Sequence, residues 1–123
     1  MADQRAPRVL IVEDEFLISL HLEDLLIRMG HQVVAIASRI TEAIELARSV
    51  EIDFAIIDIN LAGTQSFPVA DILRQRNIPF VFASGYGNEG LRDGYRHETV
   101  LRKPFELLDL EQAIAAADLP FSR

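Results

Sequence analysis

The chain has 123 residues, 50% of them hydrophobic and 25% charged, which suits one globular domain with a single continuous core. A net charge of −7 and a pI near 4.8 argue against nucleic acid as a partner, because such binding needs a basic surface to displace counterions. The absence of cysteine excludes disulfides and thiolate zinc sites, and no apolar run suits a signal peptide or a membrane span, so a soluble cytoplasmic protein without membrane contact is expected.

Residues 1–7 are polar and aperiodic and read as a flexible leader, with the domain at 8–119 and a tail at 120–123. Arg8-Val-Leu-Ile-Val12 is too short for a helix and reads as a first strand running into Glu13-Asp14-Glu15. Apolar residues at Ile18, Leu22, Leu25, Leu26 and Met29 then form one helical stripe, which Asp14 can cap and Gly30 can end. A cap is the bland alternative to a metal-binding role for Asp14. Gln32–Ile36 is a second strand, followed by a helix with Ile40, Ala43, Ile44 and Ala47 on one face and Ser38 or Thr41 near its start.

Asp53–Asp58 is a third strand, uncharged from Phe54 to Ile57 and closed by a carboxylate. Asn60–Ser66 is a loop carrying Gly63, and Pro68 sits in the first turn of a helix that buries Val69, Ala70, Ile72 and Leu73. Pro79–Ala83 is a fourth strand ending at Ser84, and Thr99–Arg102 a fifth ending at Lys103. Pro104 stops it, and Leu107, Leu110, Ile114 and Ala117 mark a final helix. Between the fourth and fifth strands lie Gly85, Gly87, Gly90 and Gly94, four of the six glycines, so any helix there is expected to be short or marginal, around Glu89 to Asp93.

Strands alternating with helices predict an α/β fold, a parallel sheet covered on both faces, with all strand carboxyl ends on one edge where such folds bind ligands. That edge would collect Glu13, Asp14, Asp58, Ser84 and Lys103. Clustered carboxylates repel unless a cation joins them, and an all-oxygen set suits Mg²⁺. Lysine and serine serve phosphoryl oxygens as point charge and neutral donor. The expectation is that Asp58 is a nucleophile accepting a phosphoryl group. The histidines His21, His31 and His97 show no ligand spacing, and Arg92, Arg96 and Arg102 read as a solvated face more than as a docking patch.

Val12-Glu13-Asp14-Glu15, Ile57-Asp58, Ala83-Ser84-Gly85 and Lys103-Pro104-Phe105 together resemble the receiver domains of bacterial two-component response regulators, over essentially the whole chain. The resemblance implies a five-stranded sheet in the flavodoxin-like order 2-1-3-4-5, of which receivers are a standard example. It implies Asp58 as phosphoacceptor, Glu13 and Asp14 as the acidic pair with Asp14 the closer metal ligand, and the Asn60 backbone carbonyl as a further Mg²⁺ ligand. Ser84 takes the hydroxyl position and Lys103 the phosphoryl-binding position, with Lys103–Pro104 a candidate cis bond. A histidine kinase or phosphotransfer protein is the implied donor and a downstream protein the implied target.

Three departures stand out. Leu61, Ala62 and Ser66 replace the usual Met-Pro pair and later glycine after the acceptor. Val100 stands where an aromatic switch residue is usual. Phe82-Ala-Ser-Gly-Tyr-Gly87 is similar to the Phe-Ala-Thr-Gly motif of the FAT GUY subgroup, which implies a stand-alone receiver and a kinase of the HWE type. No effector pattern follows the last helix, so output is expected through protein contacts or by draining phosphoryl groups from a kinase. Tyr86 and an ordering of Gly85–Gly94 are the expected readout. The alternatives are a phosphorylation-independent adaptor with the same fold, and a flavodoxin-like cofactor enzyme, which the lack of a Gly-rich loop after the first strand disfavours.

Overall fold

The computed structural model describes residues 6–85 and 91–117. In chain order the elements are β1 (Arg8–Val12), α1 (Phe16–Arg28), β2 (Gln32–Ala37), α2 (Ile40–Ser49), β3 (Phe54–Asp58), the short strands β4 (Asn60–Leu61) and β5 (Thr64–Gln65), α3 (Phe67–Gln75), β6 (Phe80–Ser84), β7 (Val100–Arg102) and α4 (Leu107–Ala116). Five strands form one parallel sheet in the order β2-β1-β3-β6-β7. Leaving out the small β4–β5 pair, this is the expected 2-1-3-4-5 order. No helix among the described residues is long and apolar enough to cross a membrane.

Strand side chains alternate between faces, and the alternation divides the core in two. Leu10, Val12, Ala55, Ile57, Phe80 and Phe82 face α2 and α3, where they meet Ala43, Ala47, Phe67 and Leu73. Val9, Ile11, Phe54, Ile56, Val81 and Leu101 face α1 and α4, where they meet Leu22, Leu26, Leu110 and Ile114. Apolar residues thus lie on both faces of β1, β3 and β6, which is why these strands read as continuous apolar runs.

The helix ends depart from the sequence expectations in detail. Asp14 does not cap α1. The cap position is Glu15, whose side chain makes no capping bond, while the Glu13 carboxylate accepts the Glu15 N–H at 3.1 Å. At its other end α1 closes as expected at Gly30, with φ of 89°, where Gly30 N–H donates to Ile27 and His31 N–H to Leu26 in a Schellman arrangement. Ser38 and Thr41 flank the start of α2, as expected. Arg39 holds the cap position, and Glu42 accepts the Ser38 N–H. The Lys103–Pro104 bond is cis, as the motif implied.

The segment after Asp58 is more regular than a loop. Asn60–Leu61 and Thr64–Gln65 pair antiparallel around the two-residue turn Ala62-Gly63, whose φ values of 51° and 86° are both positive, as a type I′ hairpin turn requires. The Asn60 Oδ1 atom accepts the Gly63 N–H at 3.1 Å. Ser66, standing where a glycine is usual, has φ of −92° and needs no glycine; it is fully buried, and its backbone opens α3. Of the doubtful helix between the last two sheet strands, Glu89 and Gly90 lie outside the described residues, and Leu91–Thr99 forms turns and not helix.

Ala62 is the strained point, because a left-handed backbone brings Cβ against the next carbonyl. Ala62→Asn converts the turn to Asn-Gly and should raise stability by about 0.5–1 kcal/mol in urea unfolding. An unchanged or lower midpoint would show that Ala62 carries no strain.

Candidate functional site

Period-two alternation explains why charged residues from three strands meet. Glu13 follows Val9 and Ile11, Asp58 follows Phe54 and Ile56, and Lys103 follows Leu101, so by strand alternation all three fall on the α1/α4 face. Register aligns them: Val12 pairs with Ile57, Asp58 with Ala83, and Ser84 with Arg102. Ser84, in phase with Phe80 and Phe82, belongs to the opposite face.

Lys103 Nζ lies 2.7 Å from Glu13 Oε1, 3.2 Å from Asp58 Oδ2 and 3.9 Å from Glu15 Oε1. Glu13 and Asp58 are only 3% and 7% exposed, so this ammonium offsets carboxylates that have lost most of their water. Burial first, and then the charge of Glu13, push the Asp58 carboxyl up to about 7 against the opposing pull of Lys103. Burial works to lower the Lys103 ammonium, but the Glu13 hydrogen bond and the charges of Asp58 and Glu13 outweigh it, and its pKa is raised. Lys103 is therefore fully charged at neutral pH, and Asp58 is poised between its two forms.

Asp14 remains exposed. Glu13, Asp14 and Asp58 each place one carboxylate oxygen within 4.8 Å of the others, the one such grouping among the described residues. Carboxylate oxygens gathered this closely would hold a hard cation such as Mg²⁺, which takes oxygen donors. Three carboxylates stand here against one ammonium, an excess of negative charge. The donor set thus fits a hard divalent cation.

These groups open onto a cleft of about 790 Å³ lined by Asp14, Asp58, Asn60, Gln65, Ser84 and Lys103, among others. Asn60 lies at the start of the hairpin, two residues beyond Asp58, and Ser84 is 5% exposed, its carbonyl accepting the Lys103 N–H at 2.9 Å. The structure brings Glu13, Asp14, Asp58, Asn60, Ser84 and Lys103 to one place. Val100 lies in β7 beside Phe82, half-buried against the α2/α3 core. Tyr86 lies outside the described residues.

Two further residues have contacts that the sequence reading did not assign: His21, read there only as lacking ligand spacing, and Tyr95. His21, on α1, places Nε2 3.1 Å from the Phe105 carbonyl and stacks on the Phe105 ring, so it braces the turn after Lys103. Tyr95 is 4% exposed and packs among Phe67, Phe80 and Phe82. The sole sequence signal for it is the Leu91–Tyr95 spacing in a glycine-containing stretch, too short to call a face.

A family model described as the response regulator receiver domain matches residues 9–115. The phyllosphere-induced regulator PhyR of Methylorubrum extorquens is 34% identical over 122 residues, which cover 95% of this chain and 45% of PhyR. The solution structure of SdrG from Sphingomonas melonis matches with a TM-score of 0.81 at 38% identity, covering 91% of this chain and 96% of that one. The receiver domain of PhyR from Erythrobacter litoralis matches with a TM-score of 0.79 at 36% identity, covering 92% of this chain and 90% of that one. The chain spans about half the length of the curated relatives it matches. The match runs from the second residue of β1 into the last turn of α4, and the acidic cleft stands at the carboxyl edge of the sheet it covers: the chain belongs to the response regulator receiver domain family of two-component signalling.

Proposed function

We propose that Asp58 accepts a phosphoryl group from a histidine kinase or a phosphotransfer protein, with Mg²⁺, and that the phosphorylated chain signals through contacts with another protein. The observation that carries this reading is the placement of the buried Asp58 carboxylate 3.2 Å from the Lys103 ammonium and beside Glu13 and Asp14, at the foot of an open cleft. An Asp58 oxygen attacks phosphorus, the bond from phosphorus to the donor's imidazole nitrogen or acyl oxygen breaks, and the donor leaves with that electron pair. Lys103 neutralises a phosphoryl oxygen and the Ser84 hydroxyl donates to another. Mg²⁺ held by Asp14, Asp58 and the Asn60 carbonyl, with Glu13 acting through water, would supply further neutralisation of the phosphoryl oxygens. A kinase of the HWE type as donor, and self-catalysed transfer from a small acyl phosphate, belong to this proposal.

Incubation with Mg²⁺ and acetyl phosphate should give a labile phosphoryl adduct by intact mass, and Asp58→Asn should give none. An adduct on the variant that maps to another residue would overturn the assignment.

Glu13 is spent on Lys103 and the Glu15 N–H, whereas Asp14 faces the cleft. Asp14→Ala should therefore weaken Mg²⁺ binding by about tenfold or more, and Glu13→Ala by less, in NMR titrations. Equal losses would place Glu13 in direct contact with the metal.

The raised Asp58 pKa also has a stability consequence. Its folded value of about 7 exceeds the ordinary 3.8, so ionising Asp58 costs folding free energy. That cost is absent below about pH 4, grows as pH rises to 7 and is complete above it. In EDTA, Asp58→Asn should be the more stable form by up to about 4 kcal/mol at pH 8, with the gap closing towards pH 4. Urea unfolding at both pH values checks this, and a gap that does not change with pH would refute the electrostatic cause.

A further inference from the structure

Three carboxylates compete for the Lys103 ammonium, Glu13 at 2.7 Å, Asp58 at 3.2 Å and Glu15 at 3.9 Å. Glu13 and Asp58 are buried, whereas the Glu15 side chain is 63% exposed and lines the cleft from the start of α1. A small movement of the lysine therefore changes which acid holds its charge. On the sheet side Lys103 is fixed by its N–H, which donates to the Ser84 carbonyl at 2.9 Å. β7 ends at Arg102, however, so the chain beyond Lys103 leaves the sheet and needs another anchor.

His21 supplies one from α1. Its Nε2 lies 3.1 Å from the Phe105 carbonyl, and since a carbonyl can only accept, Nε2 carries the proton in this contact. The imidazole also stacks on the Phe105 ring, with centroids 5.8 Å apart and planes inclined by 22°, and Phe105 is itself buried in the α1/α4 core. Nε2 stands 3.8 Å from Glu106 Oε1, at the cap position of α4, where Asp109 accepts the Glu106 N–H at 2.8 Å. The turn Lys103–Glu106 is thus held by Ser84 at one end, by α4 at the other and by His21 between them. Glu15, Ile18, His21 and the turn line a cavity of about 450 Å³, so the turn has room to shift once the imidazole contacts are lost.

We propose that His21 is a positioning residue that, through Phe105, holds the Lys103 ammonium between Glu13 and Asp58 and keeps it from Glu15. The consequence for phosphoryl binding rests on the phosphoacceptor reading; the placement of Lys103 does not. A shift of about 1 Å in the turn would bring Nζ to Glu15 and away from Asp58, and a misplacement of that size can cost about a hundredfold in rate. Asp14, Asp58 and the Asn60 carbonyl lie outside the His21 contacts, so Mg²⁺ binding is separable from this effect.

NMR titrations and intact mass on the full chain test the assignment, with beryllofluoride as the phosphoryl mimic. His21→Ala should weaken beryllofluoride binding in Mg²⁺, and slow adduct formation from acetyl phosphate, by about tenfold each. Mg²⁺ binding to the free protein should be unchanged or slightly tighter, because an ammonium has moved away from Asp58. His21→Gln, whose amide can donate to the Phe105 carbonyl, should bind the mimic within about threefold of the unaltered chain. Adding Glu15→Gln to His21→Ala removes the competing carboxylate and should recover at least about threefold of the lost affinity. If His21→Ala binds the mimic like the unaltered chain, or loses Mg²⁺ affinity in parallel, the positioning role is wrong. Failure of both rescues also overturns it. If the unaltered chain neither binds beryllofluoride nor forms an adduct, the acceptor reading fails, and the side-chain NMR signals of Lys103 decide the placement alone. They should shift in His21→Ala and return when Glu15→Gln is added; signals that stay fixed would overturn the placement too.

Discussion

The position of one ammonium group organises this molecule's working edge. Lys103 stands between the carboxylates of Glu13 and Asp58, all three largely withdrawn from water, and each charge there is tolerable because of the others. The balance is incomplete. Burial, and then the charge of Glu13, hold the Asp58 carboxyl up to about 7, and Asp14 adds a further carboxylate at the mouth of the cleft. A site in this condition suits a divalent cation, and Lys103 and Ser84 line the same cleft. The energetic discomfort of the free site and its proposed chemistry have the same origin.

The sheet's alternation does more than bury apolar groups. It sends Glu13, Asp58 and Lys103 to one face and Ser84 to the other, so that the Ser84 hydroxyl and the Asp58 carboxylate reach the cleft from opposite sides of the sheet. On the side of Ser84 lies the aromatic group of Phe67, Phe80, Phe82 and Tyr95. The turn after Lys103 is steadied separately by His21, whose ring meets Phe105 from α1.

The β4–β5 hairpin gives the cleft its far wall. Departures from the usual receiver residues at Leu61, Ala62 and Ser66 are accommodated by burying Leu61, turning the chain at Ala62-Gly63 and tucking Ser66 into the core at the start of α3. Asn60 keeps its place near Asp58, with its side chain occupied in closing the turn.

By itself the sequence determined the strands, the helices and the polar residues at the strand ends, because short apolar runs and a 3.6-residue stripe are local patterns that burial on both faces enforces. It determined the gathering of Glu13, Asp58, Ser84 and Lys103 as well, since each lies at the carboxyl end of a strand and a parallel sheet has one carboxyl edge. Only the tertiary structure decided how those residues divide their partners: that Lys103 leans closer to Glu13 than to Asp58, that Asp14 is left to the cleft and caps nothing, and that Ala62 and Gly63 close a hairpin. It also decided that Tyr95 is an inward aromatic, although it lies in a stretch without periodicity. Register, competition for one ammonium and packing between residues far apart in the chain are non-local, and no spacing within a single segment encodes them.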